Sequence, residues 1–493
     1  MRLLEAVLVI VNPLAFLILT LPVPHAVRAL RRAAPVVLVP AAAQILLEGP
    51  RWQLVPAYVL AAGISAAGLL HGSAPAHRPR PRTRSRKLAA LLTAGLGAVA
   101  LMASAALPAL LPVFSFAPPT GPHRIGTTTR HWIDTDRPEA FAAGPHARRE
   151  LMVQIWYPAD SGPDAPHTPY VHDGEVFAAM ARLARVPEFT FGHLRQVTTN
   201  AVASAAVAGD RSRYPVLLFL EGAMGFRQMN TFQVEHLVSH GYIVVALDQP
   251  YTAASVRFPD GRRTAGLPPD RLRALIDRSF DPAGETPGGR VFDDGLIPYL
   301  TRDVTFTLDR LAALDRADPD GILTGRLDLH RIGVFGVSLG GIVTGEACRL
   351  EPRLRACLMT DTRMTPGVVR EGLAQPSMWL TRDTATMRRE GWSAGDIGQY
   401  QSTTRAAFRK GRADGYFVRV PGMFHADFTD IPSWSPLLSR LGITGSVPAE
   451  RAHAIVNAYS LAFFDRHLRN RPSPLLDGPA QPHPGVLLET RRP

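Results

Sequence analysis

Residues 331–345 read RIGVFGVSLGGIVTG, and this stretch decides the fold. Ile332–Phe335 is a short apolar strand candidate, and Leu339–Leu350 follows at once with helical spacing. Between them Gly336-Val337-Ser338-Leu339-Gly340 has the G-x-S-x-G pattern of a sharp strand-to-helix turn that lifts a serine hydroxyl above the carboxyl edge of a sheet. Glycine is expected at 336 and 340, because a side chain at either would strike the neighbouring strand or helix.

Further strand candidates lie on both sides of this turn: Leu151–Tyr157, Val216–Leu220, Ile243–Leu247, Ala356–Met359, Met378–Leu380 and Tyr416–Val420. Several are apolar throughout, as strands covered on both faces are. Helical spacing recurs at Gln233–Ser239, Arg302–Leu314 and Ala452–Leu468. Alternation of this kind predicts an α/β body with a mostly parallel sheet over about residues 126–475. The stretch 251–298, rich in Arg, Asp, Pro and Gly with one helix candidate at Arg271–Arg278, reads as a cap or rim insertion. Residues 476–493 read as a proline-rich tail.

A serine hydroxyl needs a base to become a nucleophile at neutral pH. His425 fits by position, on the loop after the strand Tyr416–Val420, whereas His453 and His467 fall in the closing helix and His483 in the tail. Two acids could orient it: Asp361 after the strand Ala356–Met359, and Asp383 after Met378–Leu380. A tetrahedral oxyanion needs two amide donors. Leu339 is the expected first, and Ala223, in the Glu221–Gly225 loop after Val216–Leu220, the expected second. This chemistry calls for no metal and no organic cofactor. The two cysteines, Cys348 and Cys357, exclude a disulfide-rich scaffold and a Cys₄ site, and read as buried thiols.

The formal charge is +12, but residues 1–116 hold eleven basic and two acidic residues, so the remainder is nearly balanced. The basic residues lie between four apolar runs: Leu3–Leu21, Ala33–Leu47, Leu54–Leu70 and Leu88–Phe114. That placement signals membrane topology and argues against a nucleic-acid partner. Residues 1–115 are therefore expected to form about four spans in the lipid bilayer, with residues 116–125 as a linker marked by FAPPTGP. Pro22–Arg32 and His71–Lys87 carry three and six basic residues. The positive-inside rule puts both in the cytoplasm and the body on the extracytoplasmic side. A cleaved signal peptide at 1–26 would leave the other three runs unexplained.

Four segments together, YPVLLFLEGAMGFR (214–227), VSHGYIVVALD (238–248), GVSLGG (336–341) with Thr360-Asp361, and PGMFHADFTD (421–430), resemble the bacterial, plasma-type branch of the platelet-activating factor acetylhydrolase family. The resemblance covers roughly 125–470 and implies the α/β-hydrolase fold and a serine lipase or esterase that cleaves carboxylic esters through an acyl-enzyme. It places the acid 23 residues after the nucleophile, on Asp361, and leaves Asp383 as the alternative. The family's oxyanion loop often reads His-Gly; here it is Glu221-Gly222, so Glu221 is expected to face away from the oxyanion or to pair with Arg227. The implied substrate is a lipid or small-molecule ester. A catalytically silent, membrane-tethered binding module on this scaffold and an amide-cleaving hydrolase are the alternatives.

Overall fold

The computed structural model describes residues 2–21, 29–72, 84–142, 144, 146–162, 164–281, 295–477 and 483–493. The chain divides into two compact units, Met1–Phe114 with Trp434–Leu437, and Ser115–Ser433 with Leu438–Pro493.

In the first unit three helices are long and apolar enough to cross a membrane: Leu3–Thr20, Trp52–Leu70 and Leu91–Leu110. The second apolar run, expected as a further span, instead forms a 3-10 segment, Ala29–Val37, and a ten-residue α-helix, Leu38–Leu47. Pro35 lies within the 3-10 segment and has no N–H to donate. A ten-residue helix rises about 15 Å, half of a hydrocarbon layer about 30 Å thick. Among the described residues the candidate spans therefore number three, where about four were expected. Two polar residues of Leu3–Thr20 turn inward: Asn12 Nδ2 donates to the Ala57 carbonyl at 2.9 Å, and buried Glu5 pairs with buried Arg51 at 3.2 Å. The basic stretches between the runs lie only in part within the described residues, since 22–28 and 73–83 fall outside them.

The second unit is built on a twelve-stranded sheet. Its first strands are β1 (Arg124–Pro138), β2 (Arg148–Asp160), β3 (His167–Pro169), β4 (Thr198–Ala203), β5 (Ala206–Val207), β6 (Tyr214–Leu220) and β7 (Ile243–Asp248). A separate hairpin, β8 (Ser255–Arg257) and β9 (Arg263–Ala265), comes next. The sheet then resumes with β10 (Leu327–Val337), β11 (Leu354–Thr360), β12 (Ser377–Thr381), β13 (Gly415–Arg419) and β14 (Leu487–Arg491). The spatial order is β14-β13-β12-β11-β10-β6-β7-β2-β1-β4-β3, with β5 on β2. From β7 through β6, β10, β11 and β12 to β13 all pairings are parallel. Every residue of β6 and β7 is buried. The physical reason is coverage of both faces. Val216, Leu218 and Leu220 meet Leu300, Leu308 and Val343 on one side, while Leu217 and Phe219 meet Leu237, Phe463 and Phe464 on the other. The helices Leu296–Arg316 and Leu339–Leu350 thus cover one face, and Thr231–Ser239 and Ala449–Arg469 the other.

Each predicted strand and helix of the body falls within one of these elements, save that the expected strand Tyr416–Val420 runs one residue past the end of β13 at Arg419, and the structure adds others. The linker Phe116–Pro122 carries neither helix nor strand, but β1 starts at Arg124, slightly before the expected boundary. Of the stretch 251–298, residues 282–294 lie outside the described residues; the rest folds as the β8–β9 hairpin, the helix Pro269–Arg278 and the first turn of Leu296–Arg316. The expected tail carries β14, which adds antiparallel to β13 and sets Leu488 against the core.

The cysteines depart from expectation: Cys348 and Cys357 form a disulfide. Leu339–Leu350 ends and β11 returns beside it, which brings the two Cα atoms to 6.5 Å, within bridging range. The bridge staples the helix that follows Ser338 to the strand that leads to Asp361. Closing a loop with a sequence separation of 9 constrains the unfolded chain by about 2–3 kcal/mol. Cys348→Ser/Cys357→Ser, or prior reduction, is therefore expected to lower the Tm of the full-length chain in detergent by several degrees. An unchanged Tm on reduction would contradict the bridge.

Candidate active site

β10 ends at Val337, and Ser338 takes φ 57° and ψ −120° before the helix Leu339–Leu350 begins. Positive φ is unfavourable for a serine and persists where the surroundings enforce it. The glycines show how. A Cβ on Gly336 would lie 2.5 Å from the Gly340 carbonyl, and one on Gly340 would lie 2.0 Å from the Leu220 carbonyl oxygen. The Ser338 N–H donates to the Thr360 carbonyl at 3.0 Å, which ties the turn to the end of β11.

The residue after Thr360 is Asp361, itself at φ 43° and fully buried. His425 opens a 3-10 turn, His425–Phe428, beyond β13. Its Nδ1 lies 2.5 Å from Asp361 Oδ2, and the carboxylate can accept the Nδ1 proton. With Nδ1 so engaged, Nε2 is the nitrogen left for Ser338. Asp361 also accepts from Tyr400 Oη at 2.9 Å and from Arg382 Nε at 3.1 Å. Burial by itself would push the Asp361 carboxyl up, but the Arg382 charge and the His425 and Tyr400 hydrogen bonds outweigh it and hold the group below the usual range. Asp383 serves elsewhere. Its two oxygens accept from the Thr386 amide at 2.9 Å and the Thr386 hydroxyl at 2.8 Å, and it caps the helix Thr384–Arg389.

Ala223 and Ser338 line one cavity. In the turn after β6, Gly225 donates to Gly222 at 2.9 Å and Met224 to Thr252 at 2.7 Å, while among the described residues the Ala223 amide meets no backbone acceptor. A Cβ on Gly222 would lie 3.3 Å from the Ser338 Cβ, so glycine allows this loop its approach to the serine. Leu339 stands at the first position of its helix, where an amide has no intrahelical partner. Glu221 is buried and turned away, its Oε1 accepting from the Gln249 amide at 2.9 Å. Arg227 pairs with Asp248. Burial, with the Asp248 charge beside it, pushes the Glu221 carboxyl up to about 8.

The cavity has a volume of about 590 Å³ and is also lined by Asp361 and His425. Met224, Leu272, Ile276, Ile342 and Trp392 give it an apolar wall, and Arg273, Asp277, Arg363 and Asp396 a charged rim. Leu272 and Ile276 belong to the helix Pro269–Arg278, so this part of the stretch 251–298 lines the cavity. Among the described residues no three His, Cys, Asp or Glu side chains gather to hold a metal ion. Of the other candidate bases, burial pushes His453, stacked on Phe232 at 3.8 Å, and His467 down to about 4.

Sequence reading assigned no role to several groups around the site. Arg382 and Tyr400 reach Asp361 from just past the end of β12 and from the helix Ala394–Lys410, and no motif marks either. Asp430 accepts from the Thr231 and Phe232 amides at 2.9 and 3.1 Å and from Tyr170 Oη at 2.9 Å. It thereby ties the His425 loop to the start of the helix Thr231–Ser239. Its place five residues after His425 was visible in the sequence, but its partners were not.

Residues 115–261 match the family model for platelet-activating factor acetylhydrolase, isoform II. The platelet-activating factor acetylhydrolase of Gallus gallus is 20% identical over 370 residues, which cover 71% of this chain and 82% of that protein. A probable 1-alkyl-2-acetylglycerophosphocholine esterase of Arthroderma benhamiae is 21% identical over 430 residues, 80% of this chain and 99% of that one. Among solved structures, a ferulic acid esterase from Streptomyces cinnamoneus aligns with a TM-score of 0.57 at 31% identity, covering 76% of this chain and 99% of its own. The relatives share ester cleavage in their names, and the parallel sheet with its flanking helices is the framework on which such cleavage is carried out. The chain belongs to the α/β-hydrolase esterases that resemble platelet-activating factor acetylhydrolase isoform II, and it is a carboxylic ester hydrolase.

Proposed function

We propose that the chain is a membrane-tethered serine esterase in which Ser338, His425 and Asp361 act as nucleophile, base and orienting acid. The observation that carries this reading is the His425 Nδ1 to Asp361 contact of 2.5 Å beside a cavity that Ser338 also lines. Ser338 Oγ attacks the ester carbonyl as His425 Nε2 takes its proton, and Asp361 stabilises the imidazolium that forms. The Ala223 and Leu339 amides receive the developing oxyanion. Collapse expels the alcohol, which takes the proton from His425, and leaves an acyl-enzyme. Water, deprotonated by His425, then releases the acid and restores Ser338.

The relatives' names point to acetyl-glycerophospholipid and aromatic-acid esters. The apolar wall built by Met224, Leu272, Ile276, Ile342 and Trp392 suits the apolar part of such an amphiphilic ester. For the anchor, three spans put Pro22–Arg32 and His71–Lys87 on opposite sides of the membrane, where four spans would put them on the same side. The larger basic excess then sets the orientation: six basic residues in 71–87 against three in 22–32 favour the cytoplasm for 71–87 and the extracytoplasmic side for the body. The Cys348–Cys357 bridge also suits an oxidising, extracytoplasmic location.

Intact cells producing the full-length chain are therefore expected to hydrolyse a membrane-impermeant acetyl ester. Protease applied from outside should remove that activity. Hydrolysis seen only after lysis would overturn the orientation, and none under either condition would overturn the esterase assignment for such substrates.

A further inference from the structure

We infer that Arg382 and Glu390 form a positioning pair that fixes the His425 turn and sets the pH at which the His425–Asp361 couple becomes competent as a base. The inference rests on the catalytic reading of Ser338, His425 and Asp361 given above.

Arg382 follows β12 directly, and its side chain is fully buried. A buried guanidinium is strongly unfavourable unless paired, so its partners define its place. Nε meets Asp361, Nη1 meets Glu390, and the guanidinium carbon stands 4.5 Å above the Trp392 ring. Glu390 in turn accepts the backbone N–H of His425 at 2.9 Å through Oε1. The contacts close a ring from the His425 imidazole through Asp361, Arg382 and Glu390 back to the His425 main chain. The histidine is held from both ends, by its ring and by its amide.

The ring also carries charge. The groups facing the couple are Arg382 from the end of β12, Tyr400 from the helix Ala394–Lys410, Glu390 after the helix Thr384–Arg389, and Ser338 from the elbow. Asp427, on the His425 turn itself, is committed to the Phe424 and Gly445 amides at 2.6 and 2.7 Å. Arg382 is the cation of this set. It opposes the hold of Asp361 on an imidazolium and so favours the neutral imidazole that can accept the Ser338 proton. Glu390 offsets part of that effect. The two residues therefore pull the couple in opposite directions, and a merely structural role for either would not.

The test measures kcat and KM for p-nitrophenyl acetate against pH, from about 5 to about 9, on the full-length chain in detergent, spanning the range where an imidazole titrates. Arg382→Met is expected to move the acid limb of kcat/KM up by about one pH unit. It should also lower kcat by about 10–100-fold with KM little changed, as for a displaced catalytic group. Arg382→Lys should return the limb toward its original position. Glu390→Gln keeps the acceptor for the His425 amide but removes the counter-charge, and should move the limb down. Limbs that stay in place in both Arg382→Met and Glu390→Gln, or that move in the same direction, overturn the inference. If Arg382→Met does not fold, Glu390→Gln decides: a limb that stays or rises overturns it. Fluorophosphonate labelling separates the two levels. Labelling at Ser338 with unmoved limbs removes the inference alone, whereas no labelling at Ser338 in the parent chain removes the catalytic reading and the inference with it.

Discussion

Ser338→Ala is expected to lower kcat/KM for p-nitrophenyl acetate by a factor on the order of 10⁴–10⁶, equivalent to about 5–8 kcal/mol of transition-state stabilisation. The loss is large because the acyl-enzyme route needs the hydroxyl, and what remains comes from binding and the oxyanion donors. Stability should hardly change. Alanine retains the N–H that meets Thr360 at 3.0 Å, and it relieves none of the strain at φ 57°, which only glycine would. Side-by-side rates and thermal melts check both halves. Retained turnover in a folded Ser338→Ala chain would show that the hydroxyl is not the nucleophile.

Exchanging the acid should be nearly as damaging, and it discriminates between two aspartates that the sequence alone left open. Asp361→Asn presents an amide where His425 Nδ1 now meets a carboxylate oxygen at 2.5 Å. The imidazole then favours the other tautomer, with the wrong nitrogen free for Ser338, and kcat is expected to fall by about 10⁴-fold. The change also takes a negative partner from fully buried Arg382, so some loss of stability should accompany it. Asp383→Asn is the internal contrast. Asparagine caps a helix about as well as aspartate. Activity and Tm should stay close to those of the parent, because Asp383 spends both oxygens on Thr386. If Asp383→Asn were the inactive variant, the roles would be reversed.

The proposed nucleophile and base were legible because their positions follow from local pattern. The elbow needs glycine at 336 and 340 for contacts made within a few residues or to one adjacent strand, and His425 needs only to follow the last parallel strand. The two acids were harder. Asp361 and Asp383 follow neighbouring strands β11 and β12 at the same edge of the sheet, so strand order places both near the histidine. What separates them is the direction of a side chain: Asp361 turns through φ 43° toward His425, and Asp383 turns back onto Thr386. A trace of this was present in Asp383-Thr384-Ala385-Thr386, which reads as a helix cap and start.

The remaining departures have the same origin in three-dimensional proximity. Whether Cys348 and Cys357 bond depends on how tightly the chain reverses between a helix and a strand, which a separation of 9 does not determine. The second apolar run met a composition test for a span but held Pro35, and its α-helix is confined to Leu38–Leu47. Arg382, Glu390 and Tyr400 come from three separate segments, and only packing brings them to one carboxylate and one main-chain amide. Buried polar networks of this sort leave no periodic mark in a sequence, because each member is set by its partners and not by the element that carries it.

The most direct measurement is peptide mapping of the full-length chain after reaction with a fluorophosphonate. One phosphonyl adduct should sit on the peptide that contains Ser338, and it should be strongly reduced when His425 is replaced by alanine. An adduct on a different serine, or labelling that proceeds undiminished in His425→Ala, would contradict a Ser338 nucleophile activated by His425.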